Sequence, residues 1–319
     1  MSAGPVGVGI VGAGQAGGQH LDALAGCQEA TAVAVCDTDK QRLSELAARH
    51  GPGLAAVSSL DDLLADDRVR LVALATPPGT HATLALQVLR AGRSLLLEKP
   101  PVLTSGDLAL VVAEAEARGL VAGVMLQHRF RLPAMTGSPP WSASTVAAVE
   151  VVRYRPASHY DRDPWRTDPA ASGGALIAHL GVHYLDLACQ LLGIPAGLTG
   201  QVDPRPGTAL DQRVSFTAEF GQGARLSFIG TTAVDQRAER LAAYDTGRSL
   251  TVQGNSTTYQ AGEAREQITA RTPELRTRVY SDVAMAIREN RPPRVAGLRS
   301  AAGVVRLMEL IGELPGRPA

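Results

Sequence analysis

Lysine is nearly absent from this 319-residue chain: there are two, Lys40 and Lys99, against 29 arginines. Aromatic residues make up 4% of the chain, and cysteine occurs three times, at Cys27, Cys36 and Cys189. Three scattered thiols have no paired spacing, so no disulfide framework is expected and a reducing compartment fits. Basic and acidic residues balance at 31 each with no long basic run, which argues against a protein whose work is neutralising nucleic-acid phosphates. No apolar run approaches the roughly 18 residues of a membrane span, and the glycine-filled start MSAGPVGVGIVGAG lacks the basic flank of a signal peptide. The expectation is a cytoplasmic protein. What the chain does have is 45% hydrophobic against 19% charged residues, enough for sizeable cores, and a length that implies two domains.

The first 126 residues alternate apolar runs with helical patterns. Strands are expected at Val6–Val11, Thr31–Cys36, Leu71–Thr76, Ser94–Glu98 and Leu120–Leu126, most of them continuously apolar, as in a parallel sheet covered on both faces. Ser59 and Asp62 mark one helix start. Gly92 and Gly119 mark the ends of helices expected over Thr80–Ala91 and Ser105–Arg118. This rhythm predicts a doubly wound α/β domain over residues 1–126. After Phe130 comes a Pro/Gly/Ser-rich connector, RLPAMTGSPPWSAS. Extended runs then follow at Val146–Tyr154, Val214–Phe220, Ala224–Gly230 and Ser249–Val252, with one long helix at Leu176–Leu192 and two terminal helices. Strand after strand predicts an antiparallel or mixed sheet, hence an α+β domain over residues 127–319.

In GIVGAGQAGGQH, Gly12, Gly14 and Gly17 stand in G-x-G-x-x-G spacing, after an apolar strand and at the opening of a helix. Gly12 allows the tight turn, Gly14 the close approach of a pyrophosphate, and Gly17 close helix–strand packing. The helix start, through Ala13, Gln15 and Ala16, offers N–H donors to the phosphates. The next strand ends at Asp37, 20 residues after Gly17, where a carboxylate accepts from the adenosine ribose. Asp37 would repel a 2′-phosphate and so favours NAD over NADP, while nearby Lys40 and Arg42 keep NADP open. The competing reading is a glycine-rich turn with a solvated aspartate.

Lys99 follows an apolar strand and precedes Pro100 and Pro101, which cannot continue a central strand. It therefore stands at the carboxyl end of a parallel strand, the edge where open α/β sheets bind ligands. Arginine is of no use for proton chemistry there, because its pKa lies above about 12. A lysine amine can be brought toward neutrality or act as a compact electrophile. The bland alternative, an ion pair with Glu98, is a role this chain ordinarily gives to arginine.

The stretch GGALIAHLGVHYLDLACQLLG carries its polar residues, His179, His183, Asp186 and Gln190, at spacings of four, three and four, on one stripe of an otherwise apolar helix. Such a stripe is aimed at a site, a partner group or water. Three readings compete: a hydrogen-bonded core feature, metal ligation by His179, His183 and Asp186, and acid–base chemistry with His183 titrating near neutrality. The third is favoured, and no metal is expected, since no further ligand cluster stands out.

The glycine turn, Asp37, TPPGTH (Thr76 to His81), EKP (Glu98 to Pro100) and WRTDPAASGGALIAHLGVH (Trp165 to His183) together resemble the glucose–fructose oxidoreductase / inositol dehydrogenase / rhizopine-catabolism (Gfo/Idh/MocA) family. The resemblance covers essentially the whole chain. It implies a Rossmann domain, then a domain with a large, open, mostly antiparallel sheet that makes dimer or tetramer contacts. It also implies hydride transfer between NAD(P) and a secondary alcohol or ketone of a sugar, cyclitol or sugar nucleotide. By the same resemblance, Lys99 contacts substrate and nicotinamide ribose and helps move the proton, and His183 is the general acid/base. Gly12, Gly14, Gly17 and Asp37 match the dinucleotide turn and ribose acid. Thr76, Pro77, His81 and Glu98 fall on the cofactor side, and Trp165, Arg166, His179 and Asp186 on the substrate side. The family often has Asp where this chain has His179, which leaves a rival reading: a catalytically inactive NAD(P)-binding regulator of the same fold. The short connector after Phe130 and the ending soon after MELIGEL read as leaving room for a bulkier substrate. The arginine-rich composition points to a GC-rich genome, in which such enzymes often modify sugars for secondary metabolites.

Overall fold

The computed structural model describes residues 4–51, 53–134, 140–221 and 223–316. Among these the chain forms two compact units. One holds the chain up to Val102 together with Gly106–Gln127 and Thr272–Arg299; the other holds Leu103–Ser105, His128–Arg271 and the chain from Ser300. Two contiguous domains were expected, and here that expectation is corrected: residues 272–299 return to the first unit.

The first unit is a six-stranded, all-parallel sheet in the order β3-β2-β1-β4-β5-β6. Its strands are β1 (Val6–Val11), β2 (Ala30–Cys36), β3 (Ala55–Val57), β4 (Leu71–Leu74), β5 (Ser94–Leu97) and β6 (Ala122–Val124). β1, β4 and β5 are buried along their whole length, because helices cover both faces. Those helices are α1 (Gln15–Ala25), α2 (Lys40–His50), α3 (Leu60–Ala65), α4 (His81–Arg90) and α5 (Ser105–Ala117). The Asp39 carboxylate accepts from the Gln41 and Arg42 N–H groups at the start of α2, and Ser59 Oγ accepts from the Asp62 N–H at the start of α3. Strand order reverses beside β1, with β2 on one side and β4 on the other, and this is the switch point at which such sheets bind ligands.

The second unit is an eight-stranded sheet in the order β14-β13-β12-β11-β7-β10-β9-β8. Its strands are β7 (Val146–Arg153), β8 (Pro195–Pro204), β9 (Asp211–Phe220), β10 (Arg225–Thr231), β11 (Arg237–Asp245), β12 (Arg248–Gln253), β13 (Ser256–Ala261) and β14 (Ala264–Thr269). Only β7 and β10 pair in parallel; every other neighbouring pair is antiparallel. Burial alternates residue by residue along β9 and β10, so one face of the sheet is packed and the other is open. Of the connector over 131–144, residues 135–139 lie outside the described ones; Trp141 is buried beneath the Arg248 guanidinium, 4.4 Å from its ring centroid.

One long helix was expected over Leu176–Leu192. The structure bears this out: helix is unbroken from Leu176 to Leu192, its first turn, Ile177–Gly181, being π-helical and the rest forming α8 (Val182–Leu192), and a short α7 (Pro169–Ser172) precedes it. The Val182 N–H donates to the Ile177 carbonyl, five residues back, which adds a residue to that turn. The run Pro169–Leu192 is long and apolar enough to cross a membrane by length and composition: an 18-residue window in it has a mean hydropathy of 1.3, but 72% of that window is buried in the protein. That length exceeds the sequence expectation, and the burial accounts for its composition.

Candidate active site

In the first unit the glycine turn joins β1 to α1. Gly12 has φ +105°, and a Cβ there would stand 2.7 Å from the Ala75 carbonyl oxygen, so the turn requires glycine. A Cβ on Gly17 would collide with the Gly12 carbonyl, and helix α1 therefore packs directly on the turn. Above Gly14 a Cβ would meet nothing within 4 Å. Gly14 also caps α1 without a side chain, so no side-chain oxygen takes the first-turn N–H groups of Gln15 and Ala16. An open cradle of N–H donors at a helix start suits a pyrophosphate.

Asp37 stands just past β2. Its Oδ2 accepts from the Ala13 N–H at 2.6 Å and its Oδ1 from the Asp39 N–H at 2.8 Å. The Ala13 N–H is thereby spent on Asp37, so Ala13 is corrected from phosphate donor to the tie that locks the turn to the ribose acid. Each carboxylate oxygen keeps a further lone pair for a ribose hydroxyl. The residues present thus fit a dinucleotide.

Thr76 and Pro77 lie just beyond β4. Thr76 Oγ1 is 2.8 Å from Thr80 Oγ1, which holds the short turn Pro78–Thr80 against the strand end. His81 is corrected from a crevice-lining residue to an internal brace. It is fully buried, with Nδ1 3.1 Å from both the Pro100 and Pro101 carbonyl oxygens and Nε2 2.9 Å from that of Thr76. Burial lowers its pKa despite those carbonyl oxygens. The brace ties the Thr76 segment to the segment after Lys99.

Lys99 follows β5 directly, is part-exposed, and is joined to Pro100 by a cis peptide bond. Glu98, expected on the cofactor side, turns inward. Its Oε1 lies 2.8 Å from Arg276 Nη1 and 3.2 Å from His20 Nε2, and its Oε2 accepts from the Lys99 N–H at 3.0 Å. Tyr280 Oη is 2.7 Å from His20 Nδ1 and completes the cluster. Arg276 and Tyr280 belong to α9 (Thr272–Glu289). Burial pushes the Glu98 carboxyl up, but Arg276, His20 and Lys99 outweigh it and hold the group well below the usual carboxylate range. Burial depresses the His20 imidazole. Glu98 is therefore a buried anchor for the Lys99 backbone, and its partners, far off in sequence, were not foreseen.

In the second unit the polar stripe divides. His179, on the π-helical turn, has Trp165 at 6.0 Å and His159 at 6.2 Å between ring centroids. His183, on α8, stacks on His128 at 4.5 Å. Asp186 is corrected from substrate ligand to core ion pair: it is 1% exposed, with Arg129 Nε and Nη2 each 2.7 Å from one carboxylate oxygen, and Gln190 Nε2 at 3.2 Å. Arg129 Nη1 also donates to Ser300 Oγ at 2.7 Å. The pair fixes the rotation of α8 and so the direction of His183, three residues earlier. Arg166 lies over the Trp165 ring at 4.6 Å, and its Nε is 3.2 Å from Asp163. His128 and Arg129 come from the run QHRFR, for which the sequence carried no expectation.

A parallel sheet with a glycine turn and ribose acid at its switch point, plus a second unit bearing part-exposed histidines, defines a dinucleotide-binding oxidoreductase architecture. Residues 6–126 match the oxidoreductase family with the NAD-binding Rossmann fold, and residues 145–260 match the GFO/IDH/MocA C-terminal domain. The chain belongs to the GFO/IDH/MocA oxidoreductase family. Inositol 2-dehydrogenase 1 of Saccharopolyspora erythraea is 37% identical over 35% of this chain and 34% of that one. The D-glucoside 3-dehydrogenase of Escherichia coli is 27% identical over 61% and 56%, respectively. The chain spans about half the length of the curated relatives it matches. Among solved structures, the WlbA dehydrogenase of Bordetella pertussis, in complex with NADH and UDP-GlcNAcA, superposes with a TM-score of 0.80 at 23% identity, covering 97% of this chain and 95% of that one.

Proposed function

We propose that this protein is an NAD-dependent oxidoreductase acting on a secondary alcohol or ketone of a sugar, cyclitol or sugar nucleotide. The observation that carries the reading is Lys99. One of two lysines in the chain, it stands at the carboxyl edge of the NAD-binding sheet on a backbone anchored from beneath. NAD, when bound, supplies the hydride acceptor. Gly14, Gln15 and Ala16 hold its phosphates, and Asp37 holds the ribose and disfavours a 2′-phosphate. In the oxidative direction His183 takes the proton of the substrate hydroxyl, and Lys99 stabilises the developing alkoxide by charge and hydrogen bonding. Trp165, Arg166 and His179 orient the sugar. The relatives' names, a cyclitol and a glucoside dehydrogenase, support the substrate class.

The test is absorbance at about 340 nm, the reduced-nicotinamide band, with NAD and NADP against a panel of sugars, cyclitols and nucleotide sugars. A change with NAD on at least one of them is the expected result. Silence across the panel, with NADH still bound, would favour the regulatory alternative.

The open face of the eight-stranded sheet is assigned to self-association. Val146 and Tyr244, 54% and 48% exposed, face one another across β7 and β11 on it, and Ile229, 62% exposed, projects from the same face farther along β10, opposite Glu150. Sedimentation velocity should show a dimer or tetramer, and the double variant Val146→Lys/Ile229→Lys should shift it to a smaller species. A monomeric wild type would sink this assignment.

A further inference from the structure

Beside His179 the second unit gathers positive charge. Arg153 ends β7, Arg155 follows it, and Arg162 and Arg166 flank the turn after α6 (Ala157–Asp161). Burial and the charges of these four arginines push the His159 imidazole down to about 4, so it stands neutral among them at physiological pH.

The carboxylates in reach are already committed. Glu239 takes Arg153 at 3.2 Å and Arg237 at 3.0 Å. Asp163 takes Arg166 through Nε at 3.2 Å. Asp168 caps α7 by accepting from the Ala170 N–H at 2.9 Å. Asp211 is buried and accepts from the Ala175 and Ile177 N–H groups at 2.6 and 2.8 Å. Arg162, exposed to solvent, and Arg155 are left over, and Arg155 is the one the fold encloses. It is half-buried, its Nε is enclosed with no hydrogen-bond partner, and no carboxylate among the described residues pairs with it. Burial and the neighbouring Arg153 lower its pKa, so the fold holds this cation at a cost.

A half-buried guanidinium without an anion beside a ring cluster has the makings of a binding corner. Trp165 and His179 supply flat apolar faces, and Arg166 lies over Trp165. Arg155 supplies a planar fork of N–H donors that matches carboxylate or phosphate oxygens. From the unmet charge of Arg155 we infer that the substrate carries an anionic group, carboxylate or phosphate, bound by Arg155 with help from Arg166. This rests on the oxidoreductase reading above and narrows its substrate class from sugars at large to acidic ones: sugar acids, sugar phosphates or nucleotide sugars.

The experiment compares kcat/KM of the NAD-loaded protein for D-glucose, D-glucuronate, D-glucose 6-phosphate and UDP-glucose, in wild type, Arg155→Met and Arg155→Lys. In the wild type an anionic member should exceed glucose by about 30-fold or more, the scale on which one buried charge partner acts. Arg155→Met should erase most of that advantage, mainly through KM. Arg155→Lys, which keeps the charge and loses the fork, should recover part of it. The carboxylate and phosphate arms report which anion the corner takes. Glucose turned over best, or an Arg155→Met loss equal for charged and neutral sugars, would overturn the subsite. If no sugar reacts, the oxidoreductase reading fails for this panel, and the subsite is judged by calorimetry with glucuronate and glucose 6-phosphate. Binding that weakens with salt and vanishes in Arg155→Met upholds it; no binding of either overturns it.

Discussion

Replacing Arg276 with methionine is expected to lower folding stability by about 3–5 kcal/mol, read as a shift of the urea midpoint at pH 7. The side chains of Arg276 and Glu98 are 9% and 7% exposed and meet at 2.8 Å. Without the guanidinium, the Glu98 carboxylate stays buried with only His20 and one backbone N–H for support. Leaving a charge alone costs far more than the pair contributes, so Arg276→Met/Glu98→Gln should recover most of the loss. A double variant no more stable than Arg276→Met would refute this account. The same cluster sets a pH dependence. Glu98 is held below its ordinary value of 4.5 and His20 below 6.5. As the pH falls through those ordinary values, the unfolded chain takes up protons that the folded protein refuses. Stability is therefore full above about pH 6.5 and is lost as the pH falls, first through His20 and then through Glu98. Arg276→Met should flatten the Glu98 part of that slope.

Local features of this protein were legible in its sequence, and the partners of those features were not. The turn Gly12–Gly17, Asp37 at the end of the next strand, and Lys99 at a strand's carboxyl edge are each set by neighbouring residues. Strand β11, RAERLAAYD, shows the opposite case. Alanine, glutamate, arginine and leucine favour helix, yet the segment pairs with both β7 and β12, and that pairing overrides the preference. Strands β13 and β14 are largely polar hairpin strands with no periodic apolar face, so no pattern announces them. The amphipathic pattern of α9 says that one face is buried without saying against which unit, and its return to the first unit carries Arg276 and Tyr280 to Glu98 and His20. On α8 the polar stripe was legible. That Arg129, 57 residues earlier, faces Asp186 was not. The π-helical turn shifts His179 relative to His183 by an extra residue that leaves no mark in spacing.

Lys99→Met is expected to reduce kcat by about 10³-fold or more, the scale lost when one preorganised donor to a developing oxyanion is removed. On the proposed reading the glycine turn and Asp37 hold the phosphates and adenosine ribose, so NADH affinity, read by fluorescence titration, should stay within about tenfold. The informative companion is Lys99→Arg. This chain places arginine at 29 of its 31 basic positions, so if Lys99 were only an ion-pair partner, arginine there would be neutral in effect. If the position needs a compact amine that can carry or release a proton, a guanidinium with its pKa above about 12 and its wider planar head will fail. Lys99→Arg should then fall nearly as far as Lys99→Met in kcat while binding NADH normally. Wild-type turnover in Lys99→Arg would return Lys99 to a structural role and leave His183 alone to account for the chemistry. Its stacking on His128 at 4.5 Å and the Arg129–Asp186 pair beneath it would then be the geometry to alter next.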